Sequence, residues 1–121
     1  MALTWNETDF LGYLQVEPEI GEYETEYRYE VTQLPLRLLL SVFHLAGDVY
    51  ISVYCDPLES AVIDVAIRDC PGARVVNDKR GNYIELAAAN VFGTRYDGES
   101  MIPYGVRSFV RPHIRVELFR A

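Results

Sequence analysis

Two cysteines, two histidines and a crowd of carboxylates are the groups in this sequence with chemistry to offer. A thiol becomes a nucleophile when a neighbouring base or cation lowers its pKa. Cys55 or Cys70 would need His44 or His113 for that, and nothing local in the sequence brings them together. There is no CxxC, no HExxH and no zinc-type Cys/His spacing. Both histidines lie in strand-like runs and read as packed or hydrogen-bonded residues. Calcium needs six to eight oxygens. Asp48 and Asp56 bracket one strand and so lie roughly 25 Å apart. Asp69 would return near Asp48 if the next strand runs back antiparallel, but two aspartates fall short of a site, and aspartates belong in turns anyway. No GxSxG elbow, P-loop or GxGxxG is present. Carboxylates abound in residues 17–30, yet a raised pKa needs burial, and on an exposed face they stay ionised. The expectation is no catalytic residue, no metal ligand and no cofactor.

Charge is more informative than motif. The chain of 121 residues carries a net charge of −7. Residues 1–30 hold eight acids and one base, Arg28, while the rest holds ten acids and ten bases. All the excess therefore sits in the first quarter. Such a surface repels nucleic acid and anionic lipid and speeds encounter with a basic protein. One basic stripe runs the other way: Arg107, Phe109, Arg111, His113 and Arg115 share a face if Pro112 does not shift the register. Arginines interleaved with an aromatic can track a phosphate backbone, but the acidic quarter opposes a polyanion. The alternative is that the glutamate and arginine stripes are sheet neighbours that neutralise one another.

The elements that carry these groups read as strands. In "YETEYRYEV", Tyr23, Thr25, Tyr27, Tyr29 and Val31 alternate with Glu24, Glu26, Arg28 and Glu30. That predicts one half-buried strand with an aromatic face and a charged face. Leu36, Leu38, Leu40 and Val42, then a turn at Ala46-Gly47-Asp48, then Val49, Ile51, Val53 and Cys55 predict a hairpin with one apolar face. Pro35 and Pro112 mark breaks or edge positions. Residues 56–60 read as a turn or one helical turn, and residues 61–68 as a strand. Asp78-Lys79-Arg80-Gly81 is a hairpin turn whose glycine takes positive φ. Asp97-Gly98 marks another turn, and Ala87–Asn90 a helical turn. The sum is a mainly β single domain over residues 1–121. It is an antiparallel β-sandwich or partly open barrel of about nine short strands, with at most one or two short helical turns.

The N-terminal "MALTWNETDF" has no basic start and no apolar run, unlike a signal peptide. The most apolar stretch, "LPLRLLLSVFHL", falls short of the roughly 20 residues that span a bilayer. A soluble cytoplasmic protein with reduced, unpaired cysteines is expected. The reading that follows is a non-enzymatic interaction domain, immunity- or inhibitor-like, whose acidic strand docks a basic protein partner. In composition the chain looks like small acidic proteins that neutralise basic toxins, though no motif marks such a family. The partner-binding residues it implicates are Glu22, Tyr23, Glu24, Glu26, Tyr27, Tyr29 and Glu30, with no nucleic acid or membrane involved. A homo-oligomeric assembly subunit and a small-ligand-binding barrel lined by tyrosines are the alternatives.

Overall fold

The computed structural model describes residues 3–88 and 104–120. In chain order the elements are α1 (Glu7–Leu14), β1 (Glu19–Ile20), a 3₁₀ turn (Glu22–Glu24), β2 (Tyr27–Gln33), β3 (Leu36–Phe43), β4 (Asp48–Cys55), β5 (Ile63–Ile67), β6 (Ala73–Asp78), β7 (Gly81–Ala87), β8 (Tyr104–Phe109) and β9 (Arg115–Arg120). The strands form two open antiparallel sheets, ordered β1-β2-β3-β4-β5 and β6-β7-β8-β9. The structure is thus the sandwich, not the barrel.

Alternation builds the shared core. From the first sheet Tyr27, Tyr29 and Val31, Leu38, Leu40 and Val42, and Val49, Ile51 and Val53 point inward, and Ile84, Leu86 and Val106 meet them from the second. The β3–β4 hairpin has the expected register, Leu38↔Val53, Leu40↔Ile51 and Val42↔Val49. The β6–β7 turn is also as read: Asp78 pairs with Gly81, whose φ is +112°, a value that side chains resist. Leu34-Pro35 forms the turn between β2 and β3, and Pro112 lies in the bend between β8 and β9. Residues 56–57 form a turn, and the following strand is shorter than expected, Ile63–Ile67. Ala87 ends β7, so the expected helical turn does not begin there. Ala88 is not helical either, and residues 89–90, with the Asp97-Gly98 turn, lie outside the described residues.

Two findings depart from the sequence reading. First, residues 7–14 are an α-helix. The Asn6 side chain accepts the Asp9 backbone N–H at 3.0 Å, and Glu7 and Asp9 stand in the first turn, where carboxylates favour the helix dipole. Phe10, Tyr13 and Leu14 are its buried face. The Tyr13 hydroxyl donates to Asn82 O at 2.6 Å and accepts from Val110 N at 3.1 Å. Arg111 donates to Tyr13 O and lies over the Tyr13 ring. Second, residues 22–26 are not strand. The strand begins at Tyr27, and a tight loop precedes it.

The sheets are also stitched together. Leu3 N donates to His44 O at 2.8 Å, Thr4 N to Pro71 O at 3.1 Å, and Ala73 N to Thr4 O at 3.0 Å. On the other side Gln33 donates to Val110 O and accepts from Ile114 N.

Candidate functional site

The loop of residues 21–26 joins β1 to β2, which pair through Glu19↔Arg28 and Ile20↔Tyr27. It is pinned from within. Gly21 N donates to Glu26 O at 2.8 Å, Glu24 N to Gly21 O at 3.0 Å, and Thr25 Oγ1 to Glu22 O at 3.1 Å. It is also pinned from below, since His44 Nε2 lies 2.8 Å from Glu24 O. A carbonyl only accepts, so Nε2 carries the proton in this bond. The His44 ring is held in turn against Tyr27 and Trp5. A Cβ on Gly21 would come within 3.3 Å of Glu26 Cβ, which explains glycine at the tight entry.

Two successive residues of the loop are left-handed: Tyr23 with φ 63° and Glu24 with φ 55°. Neither is glycine, and each such residue costs on the order of 1 kcal/mol. Tyr23 nevertheless puts its ring into solvent, 86% exposed, with glutamates on both sides.

The seven residues read as partner-binding separate into three groups. Glu22, Tyr23 and Glu24 are exposed on the loop, and Glu26 is half-buried at its end. Among the described residues none of these three glutamates has an ion-pair partner. Tyr27 and Tyr29 point inward and belong to the core. Glu30 lies on the outer face of the first sheet and pairs with Arg37 at 3.1 Å; Arg37 also lies over Tyr54. Beside them Arg28 pairs with Glu19 at 2.7 Å.

The arginine stripe is elsewhere. Arg107 and Arg115 are on β8 and β9, in the sheet that does not contain β2, and Arg111 is in the bend between them. The two stripes are therefore not sheet neighbours. Nor do the arginines form one continuous row, because the chain bends at residues 111–113. Arg107 pairs with Glu117 at 2.6 Å, Arg111 covers Tyr13, and Arg115 lies over Phe109.

Asp48 and Cys70 have structural jobs. Asp69 does return to Asp48, and its backbone N–H donates to Asp48 Oδ1 at 3.3 Å, a turn contact. No cluster of three metal-ligating side chains occurs among the described residues. Cys55 and Cys70 are both free thiols. Burial pushes the Cys70 thiol up to about 11, and its Sγ donates to Ala87 O and Gly72 O. No helix among the described residues is long and apolar enough to cross a membrane.

A cleft of about 160 Å³ adjoins the loop, between α1 and the β1–β2 hairpin, lined by Glu7, Leu11, Pro18, Ile20, Tyr27 and Tyr29. The sequence reading missed Glu7 and Leu11 because it missed the helix. The Asn6 cap followed three residues on by Asp9, with Phe10, Tyr13 and Leu14 spaced for one helix face, was the available signal.

The whole chain superimposes on a solved structure. It matches a chain of the contact-dependent growth inhibition toxin–immunity protein complex from Klebsiella pneumoniae 342, with a TM-score of 0.78, 18% sequence identity and 100% coverage of both chains. At that identity the likeness is one of fold. No protein-family model matches the sequence, and none of the curated proteins does.

Proposed function

We propose that this chain is a non-enzymatic, immunity-like interaction domain that docks a basic protein partner through the loop of residues 21–26. The observation that carries the proposal is Tyr23. A large aromatic ring stands in solvent on a pinned, left-handed backbone, between glutamates that no described residue neutralises. Rigid aromatic anchors supply binding energy at low entropic cost. The surrounding negative charge steers a basic surface toward the anchor. Fold likeness to a chain of a toxin–immunity protein complex favours the same reading. The partner would be a basic toxin-like protein met in the cytoplasm.

The test compares capture from lysate by the parent protein, by Tyr23→Ala and by the double variant Glu22→Gln/Glu24→Gln, at about 0.05 M and about 1 M salt. The expected result is a basic protein held by the parent at low salt, released at high salt, and lost in both variants. Equal capture by all three proteins would overturn the proposal.

Self-association is the second reading. Leu118 on β9 is 74% exposed, beside an apolar cleft of about 420 Å³ between the β5 and β9 edges. A stable oligomer by light scattering, indifferent to salt and to the loop substitutions, would favour it.

A further inference from the structure

The cleft beside the loop has an apolar floor and a polar end. Leu11 and Ile20 on its sides are both exposed, although each is a large hydrophobic residue. Its volume, about 160 Å³, is below the roughly 300–1,000 Å³ of small-molecule pockets and suits one long side chain. At the polar end stand the Glu7 carboxylate and the tyrosine residues of β2. Tyr29 is only 1% exposed, yet among the described residues its hydroxyl makes no hydrogen bond. Its oxygen is not sealed in the core but opens to the cleft, where it can meet solvent or an incoming donor. The local field is negative. Burial first, and then Glu7, takes the Tyr29 phenol up to about 12. Tyr27 is raised by burial and then by Glu7, with Glu24 of the loop also contributing.

We propose that this cleft receives one arginine side chain of the basic partner. The inference rests on the docking role proposed for the loop and names the chemistry that docks. An aliphatic stem covers Leu11, Pro18 and Ile20 while the charged head stays polar. The guanidinium offers five donors in a fixed plane, against a carboxylate and phenolic oxygens that accept. It is also more weakly hydrated than an ammonium, so it enters a half-dry cleft more readily than lysine.

The probe is a short arginine peptide blocked at both ends, with the equivalent lysine peptide as comparison. Trp5 is the sole tryptophan and lies edge-on to Tyr27 at 5.2 Å, so its fluorescence reports occupancy. The arginine peptide is expected to bind several-fold more tightly than the lysine peptide. Glu7→Gln and Tyr29→Phe should each weaken it about tenfold, as loss of a hydrogen bond to a charged group does. Tyr29→Phe keeps the ring, and an unchanged melting profile certifies its fold. Equal binding of the two peptides, or parent-like binding by both Glu7→Gln and Tyr29→Phe, overturns the inference. If Tyr23→Ala still abolishes partner capture in that case, the docking reading stands without the cleft. If instead the peptide responds as expected while Tyr23→Ala captures normally, it is the loop that fails.

Discussion

Across the second sheet Arg74, Glu85, Arg107 and Glu117 stand in register on four neighbouring strands. Arg74 grips Glu85 at 2.9 Å and Arg107 grips Glu117 at 2.6 Å. Arg107 also lies over Phe119 and near Tyr83. In the loop of residues 21–26, three glutamates follow one another in the space of five residues with no cation among the described residues to meet them. One region cancels its charge internally; the other keeps it on a backbone held in an unfavourable conformation. The overall excess of acids is thus not spread thinly. It is what remains after the well-paired sheet has neutralised itself. Strain and uncompensated charge at one place are poor devices for stability, and backbone strain of this kind clusters at functional sites.

The largest effect should come from breaking the paired region. Glu85 is 5% exposed, and Glu85→Ala would leave Arg74 and Arg107 facing each other across a vacant position. Removing one partner of a buried pair costs about 3–5 kcal/mol. Urea denaturation should show a loss of that order. A loss below about 1 kcal/mol would mean that the second sheet does not depend on its charge row, and the contrast would collapse.

The next effect lies beneath the loop and appears with alkali. Burial, and then the Glu7 carboxylate, push the Tyr29 phenol up from an ordinary 10.0 to about 12. A raised pKa means that the folded chain holds its proton when the unfolded chain has lost it. The associated stability is whole below pH 10 and is lost as pH rises from 10 toward 12. By linkage the full shift would be worth about 2–3 kcal/mol, and solvent at the cleft screens the hydroxyl, so the loss is smaller, on the order of 1 kcal/mol. Urea melts across that range should show it, and Tyr29→Phe should remove this part of the decline.

The smallest effect has the opposite sign. Tyr23→Gly relieves a left-handed tyrosine with little packing to lose, and should raise stability by about 1 kcal/mol. The same variant should lose partner capture. A destabilised Tyr23→Gly protein would show that the ring holds the fold together instead of serving a partner.

How much of this was visible beforehand depends on the range of the forces involved. The β3–β4 and β6–β7 hairpins were legible because alternation and turn chemistry are both local: Leu38, Leu40 and Val42 face Val53, Ile51 and Val49 across a Gly47 turn. The start of β2 was not. Alternation continues smoothly through Tyr23, Thr25 and Tyr27, yet a hairpin with β1 needs a loop there, and periodicity says which face a residue takes without saying where pairing stops. The short helix was outweighed by the strand-rich remainder, although its cap was written in Asn6 and Asp9. The ion pairs were hidden for a different reason. Which arginine meets which glutamate follows from strand order, and that placed Arg107 opposite Glu117 and left Glu22 and Glu24 alone. The charge excess of the first quarter was legible; that Glu22, Glu24 and Glu26 of it stand on one pinned loop was not.

Among the described strands, each pairs only with its nearest neighbours along the chain, in both sheets. No early strand must wait for a distant one before it finds a hydrogen-bonding partner. Loop closure, the usual brake on all-β folding, is therefore applied mainly once, when the two finished ribbons meet. A growing polypeptide can complete the first ribbon while the second is still being synthesised.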